Sequence, residues 1–324
     1  VKEDPLSVGV EEKMELLTEA DRAALETGAK LPSRLFELLV RRISGYFANT
    51  EGASIEYEKS STYLFYSLVA TRGGRGTVHR WRELGASGGW ERVREWSVPE
   101  LIAGEAKLLD RILEEAREPP KGIVDLVLGS EVVGIVVHES CGHPSEADRV
   151  LGREAAQGGE SFIKPDSLGE RIGSEWVTII DDPTIPGSYG YYLYDDEGIR
   201  ARPRELYKEG RVNELLHNRE TAAVFGVESN AAARAAGYQF EPLIRMANTY
   251  FKPGDYALEE LLEDVDLGVY IKNFMEWNID DTRWNQRYVG LEAYLIERGE
   301  LKGLVRNPVL EITTRGLYSR VDAV

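Results

Sequence analysis

Leu126-Val-Leu-Gly129-Ser130-Glu131-Val-Val-Gly134-Ile-Val-Val137-His138-Glu139-Ser-Cys141-Gly142-His143-Pro144 decides how this chain is read. Two of its four histidines stand five residues apart, with a glutamate directly after the first. Two neutral imidazoles can hold a metal ion, and an adjacent carboxylate can take a proton from an attacking water. The common zinc-peptidase pattern spaces its histidines four apart, on one face of a straight helix. Five residues at roughly 100° each leave the second imidazole about 140° off that face. A regular helix therefore cannot present both rings to one metal. Gly142 lets the backbone deform, and Pro144 biases His143 away from αR, so His143 is expected where the helix ends or widens into a π-like turn. Spacing alone leaves three readings open. The histidines are metal ligands, or they are one core and one helix-end histidine, or His138 pairs with Cys141, three residues on and on the same helical face.

Working outward, Ile123 to Leu128 reads as a short buried strand and Ser130 as the N-cap of the motif helix. Glu131 is favoured at the positive helix end. From Val132 to Val137 every residue except Gly134 is a large aliphatic, which predicts a helix apolar all round and buried. Further on come Ile180-Asp181-Asp182-Pro183, Tyr194-Asp195-Asp196-Glu197-Gly198, Glu209-Gly210-Arg211-Val212, Pro242-Leu-Ile-Arg245-Met-Ala-Asn248-Thr249 and Pro253-Gly254. Together with the HExxxH core, these stretches resemble the TldD/PmbA family of zinc metallopeptidases, in its HExxxH-containing, TldD-like branch. The resemblance runs in order from about residue 5 to the end and is densest between residues 125 and 255.

The resemblance implies that His138 and His143 bind Zn²⁺ and that Glu139 is the catalytic base. It assigns the third protein ligand to a cysteine near the family's C-terminus, for which this chain, ending at Val324, has no match. It also implies that the chain starts well inside the family's N-terminal domain. Cys141 becomes a core residue, since the family commonly has a small or aliphatic side chain there. The implied activity is hydrolysis of peptide bonds in short or unfolded peptides, with a homologous subunit as partner. A non-catalytic, peptide-binding or gyrase-modulator-like regulatory subunit is the alternative. The family has a sister branch without HExxxH, and the intact motif argues for the active one.

Composition bounds these readings. The 324 residues carry a net charge of −17, with 42 % hydrophobic and 29 % charged residues. That is a globular mix, and its acidity argues against direct nucleic-acid binding, which relies on clustered cations. Arg72 to Arg82 is the densest basic stretch and reads as a solvated hairpin. No apolar run reaches the roughly 18 residues of a membrane span. A single cysteine excludes an internal disulfide, and with no signal-peptide pattern at Val1 the cytoplasm is the default compartment.

The fold class expected is α+β. Residues 1–119 read as a helix/antiparallel-sheet domain: a helix over Val10–Glu26, strands around the Asn49–Gly52 turn, strands over Thr62–Thr71 and Gly76–Leu84, and a helix over Pro99–Glu118. Glu118-Pro-Pro-Lys-Gly122 marks the boundary. Residues 120–324 read as the strand-rich metallopeptidase domain, with one buried motif helix and an antiparallel, partly barrelled sheet. Residues 145–172, including Gln157-Gly-Gly-Glu-Ser161, read equally as a lid or as a surface excursion. The tyrosines and acids of Gly187–Gly198 suit peptide binding or support of metal ligands, though packing is the commoner use of such tyrosines. His79 and His217 have no partner at ligand spacing and read as surface or hydrogen-bonded histidines.

Overall fold

The computed structural model describes residues 1–154 and 159–324. With 25 % helix and 34 % strand the fold is α+β, as expected. A three-stranded antiparallel sheet of β1 (Ser33–Ala48), β2 (Ser54–Arg72) and β3 (Gly76–Ser87) opens the chain. Helices α1 (Val10–Glu26) and α3 (Val98–Glu115) cover one of its faces, with the short α2 (Trp90–Glu95) between β3 and α3 in the chain. Period-2 alternation sends Leu64, Tyr66, Leu68 and Ala70 of β2 under the helices, where they meet Ile102, Leu109 and Ile112. The sequence suggested a break near residue 60, but β2 runs unbroken for 19 residues. Its polar first half extends beyond the helices, so no apolar alternation marks it, while the ladder to β1 continues through Arg42↔Ser60 and Ser44↔Glu58.

The second half is built from short strands. β4 (Asp125–Leu128) leads into α4 (Ser130–Val137), a π-helical turn (His138–Gly142), a 3₁₀ turn (His143–Ser145) and α5 (Ala147–Val150). β5 (Ile179–Asp181), β6 (Arg204–Lys208) and β7 (Arg211–Val212) follow, then α6 (Arg219–Phe225), β8 (Ala233–Arg234), β9 (Leu243–Ile244) and β10 (Thr249–Phe251). After α7 (Leu258–Glu263) come β11 (Leu267–Ile271), β12 (Phe274–Ile279), β13 (Asn285–Gly290), β14 (Ala293–Glu297), β15 (Glu300–Leu304), β16 (Val309–Thr313) and α8 (Thr314–Tyr318).

Among the described residues these strands form four small sheets, ordered β10-β5-β6-β7, β15-β14-β11-β4, β12-β13-β16 and β8-β9. The expected antiparallel, partly barrelled sheet is corrected on this point. β4 lies parallel to β11, and parallel neighbours need a long crossover, here the whole stretch that carries the motif. β14 and β15 are joined by a tight turn at Glu297–Glu300, where Arg298 and Gly299 both have positive φ, the geometry a two-residue hairpin requires. No helix of the described residues is long and apolar enough to cross a membrane.

Two expectations about the motif helix change. Its N-cap is Gly129, with Ser130 the first helical residue. It is not buried all round: Val132, Val136 and Val137 enter the core, while Gly134 is exposed. The basic stretch is a hairpin, formed by the ends of β2 and β3 with an exposed tip, but it is not solvated throughout. Arg80 is 1 % exposed. Its Nε donates to Glu105 Oε1 (3.1 Å), and its Nη1 and Nη2 donate to Glu131 Oε1 and Oε2 (2.6 and 2.9 Å). Arg72 pairs with Asp110 and Glu114. These cations neutralise the protein's own acids, and Arg80 ties β3 to the first turn of α4.

Candidate metal centre

The site is set by how α4 ends. In a continuing α-helix the Ser140 carbonyl would accept from residue 144, but Pro144 has no N–H. The Ser140 hydroxyl also competes for the Val136 carbonyl (2.6 Å). The helix therefore widens, and the His143 N–H donates to the His138 carbonyl, five residues back. Tyr207 Oη, buried beneath the turn, donates to the freed Ser140 carbonyl (3.2 Å). The widened turn brings the two imidazoles to one side. Their centroids lie 4.6 Å apart at 79°. One ligand atom from each of His138, Glu139 and His143 falls within 4.8 Å of the others. Gly142 is needed for space rather than for backbone freedom, because a Cβ there would collide with the Sδ of Met246.

Each side chain is held by neighbours. Glu139 is 6 % exposed. Its Oε2 accepts from Arg283 Nη1 (2.6 Å) and its Oε1 from Trp277 Nε1 (3.1 Å). Arg283 occupies the β12–β13 turn with positive φ, a left-handed conformation uncommon for an arginine. Trp277 packs against Trp81 and Phe274. Nδ1 of His143 faces Glu146 Oε2 at 3.1 Å. Burial lowers the pKa of both histidines, that of His143 to about 3 with help from the Arg149 charge, a shift that favours the neutral imidazoles a metal would need. Burial pushes Glu146 up to about 7 against the opposing pull of Arg149.

Cys141 does not belong to this cluster. It is fully buried in the core, its thiol beside Ser145 and Tyr207, and burial pushes its pKa well up. The acids of the tyrosine tract serve the fold instead of the histidines. Asp195 accepts from the N–H groups of Glu197, Ile199 and Ala233. Asp181, upstream of that tract in β5, is likewise engaged in the fold: it is ion-paired with Arg204 and accepts from Ala247 N–H and Thr249 Oγ1. His217 is hydrogen-bonded to Thr221 and His79 lies in β3, both away from the cluster. Within the suggested lid, Gln157 and Gly158 fall outside the described residues, while the N–H groups of Glu160 and Phe162 donate to the carbonyls of Asp281 and Thr282. Sequence reasoning missed Glu146, Trp277 and Arg283. Glu146 carries a weak signal, close behind His143 in the chain, whereas Trp277 and Arg283 lie far downstream in the β12–β13 hairpin and carry none.

The donor set fits a borderline-soft divalent metal: two neutral imidazoles with a carboxylate beside them. When bound, such a metal supplies Lewis acidity toward a carbonyl and lowers the pKa of a coordinated water. The chain's own contribution is a buried carboxylate held by two donors within reach of both histidines.

Two family models cover the chain: the PmbA/TldA metallopeptidase central domain over residues 3–118 and the PmbA/TldA metallopeptidase C-terminal domain over residues 121–324. The chain belongs to the PmbA/TldD family of metallopeptidases. It is 34 % identical to a metalloprotease of Methanocaldococcus jannaschii, matched over 100 % of this chain and 68 % of that protein. It is also 34 % identical to a zinc metalloprotease TldD homolog of Saccharolobus solfataricus, over 68 % of this chain and 48 % of the relative. A Thermotoga maritima structure described as a putative modulator of a DNA gyrase shares the fold, with a TM-score of 0.79 at 21 % identity over 99 % of this chain and 70 % of that one. TldE of Thermococcus kodakarensis gives a TM-score of 0.73 at 18 % identity over 96 % and 67 %.

Proposed function

We propose that this chain is the catalytic part of a zinc-dependent peptidase that cleaves short or unfolded peptides. His138 and His143 hold the zinc and Glu139 takes a proton from the attacking water. One observation carries the reading: the five-residue turn gathers both imidazoles around a buried carboxylate, which straight-helix geometry forbids. Zinc over other metals is supported by the imidazole donors and by the zinc metalloprotease name of the Saccharolobus relative. We divide the chain into units at 1–119 and 120–324. The two family matches, which meet at Pro119 and Pro120, support that division.

An extended peptide is the substrate that suits the surroundings. A strand at the margin of a small sheet can pair with an extended peptide through main-chain hydrogen bonds, which are blind to side chains. A homologous subunit is the proposed partner, and the likeness to TldE supports it. The test is metal analysis of the purified full-length protein together with hydrolysis of an unstructured peptide. About one zinc per chain and cleavage abolished by a chelator are expected. Neither zinc nor cleavage would turn the reading toward a regulatory subunit.

A further inference from the structure

His143 is braced from behind by a chain of alternating charges. Its Nδ1 faces Glu146 Oε2 at 3.1 Å, and Glu146 is completely buried. The same oxygen accepts from Arg149 Nε, and Arg149 is 4 % exposed. Arg149 Nη2 reaches Glu154 Oε2 (3.5 Å), which also pairs with Arg245 Nη2 (3.2 Å). The other oxygen of Glu146 has no hydrogen-bond partner among the described residues. Burying a carboxylate with one oxygen unpaired is costly, and a bond to Arg149 alone could be made by a side chain turned away from the histidine. Instead the carboxylate bonds both, so its position is set by the imidazole as much as by the arginine.

We infer that Glu146 is a positioning residue of the metal centre: it accepts the Nδ1 proton of His143, fixes that tautomer, and leaves Nε2 as the nitrogen with a free lone pair. The inference rests on the zinc reading above. A neutral imidazole carries one proton for two nitrogens, and the hydrogen bond made by one decides which is left to coordinate. Outer-sphere carboxylates of this kind typically contribute about 10–100-fold to metal affinity. Arg149 holds Glu146 in place, and Glu154 and Arg245 extend the brace to the Pro242–Thr249 segment, whose Met246 also packs on Gly142.

A purely structural Glu146–Arg149 ion pair predicts something different, and substitutions separate the two. Full-length protein is stripped of metal and titrated with Zn²⁺ against a chromophoric chelator, with Co²⁺ absorption as a second signal and metal-free melting temperature as control. Glu146→Gln keeps an oxygen that can accept from Nδ1 but removes the counter-charge of Arg149, whereas Glu146→Leu removes both. Both variants are expected to melt lower than wild type. Zinc affinity should fall about 10–100-fold in Glu146→Leu, with a changed Co²⁺ spectrum, and stay within a few-fold of wild type in Glu146→Gln. Equal affinity losses in the two variants, or none in Glu146→Leu, would overturn the inference. Should Glu146→Leu not fold, Glu146→Asp takes its place. It keeps the charge and withdraws the oxygen by one methylene, so zinc binding should weaken with a changed Co²⁺ spectrum, and wild-type affinity would count against the role. His138→Ala guards the underlying reading: if wild type binds no zinc, or this variant binds it as tightly, the zinc assignment itself is lost.

Discussion

Glu139 stands where a base is useful and where a carboxylate is tolerated, because Arg283 and Trp277 donate to its two oxygens. Glu139→Gln is expected to retain zinc and lose about 10²–10⁴-fold in peptide hydrolysis, since a general base contributes that much. The amide also turns an N–H toward a donor, so a stability loss of about 1–3 kcal/mol should accompany it. Full hydrolysis by the complete protein would remove Glu139 from the base role. His138→Ala and His143→Ala should each lower zinc content, while Cys141→Ala leaves it unchanged. Metal loss on changing Cys141 would mean that the thiol, not an imidazole, is the ligand. His217 supplies a pH test away from the His138–Glu139–His143 cluster. Burial lowers its pKa from 6.5 to about 4, so the unfolded chain takes up the proton first as pH falls. Its contribution is complete above pH 6.5 and is lost toward pH 4, by at most about 3 kcal/mol. Asp195, raised to about 6 by burial, works in the opposite sense, because folding favours its protonated form. Comparing wild type with His217→Gln isolates the histidine contribution. Identical slopes of stability against pH between about 6.5 and 4 would contradict it.

At the scale of one element, the α4 terminus is a helix forced to widen. Pro144 removes a donor, Ser140 turns its hydroxyl on the Val136 carbonyl, and Tyr207 Oη meets the Ser140 carbonyl. Gly142 leaves room for Met246, so Gly142→Ala should cost about 1–3 kcal/mol in denaturant melts, the usual penalty for an added methyl in a filled core. In a Met246→Ala background the same change should cost less. Strictly additive losses would show that the clash is not the cause.

Across the whole molecule, the two halves meet through a buried polar network. Tyr66 Oη donates to Glu105 (2.8 Å), which shares Arg80 with Glu131 at the start of the motif helix. Arg80→Met would leave Glu105 without its cation and Glu131 with only the longer contact to Arg82 (3.5 Å). The expected loss is about 3–5 kcal/mol, read from chemical unfolding. A change below about 1 kcal/mol, the range of an exposed pair, would show that the network does not join the halves. The substrate prediction belongs to the same scale. Disordered peptides should be cut with little side-chain preference and a well-folded protein spared, since Glu139 is buried and bonded to the β12–β13 hairpin, out of reach of a rigid surface. Rapid cleavage of the folded protein, or a strong preference for one residue beside the cut, would contradict this.

From the residues alone came the α+β class, the helices α1 and α3, the short strand before the motif helix, and the need for a helix end or π-like turn at His143. These follow from local causes: apolar periodicity, a proline without an N–H, and a spacing that a straight helix cannot accommodate. Tertiary structure alone decided that β4 pairs in parallel with β11, across a stretch in which no local pattern encodes the partner. It also decided that Arg80 is buried, because its acids lie 25 and 51 residues away. Trp277 and Arg283 reach Glu139 from 138 and 144 residues downstream. Periodicity and capping act over a few neighbours, whereas a hydrogen bond between distant residues exists only once the chain between them has folded.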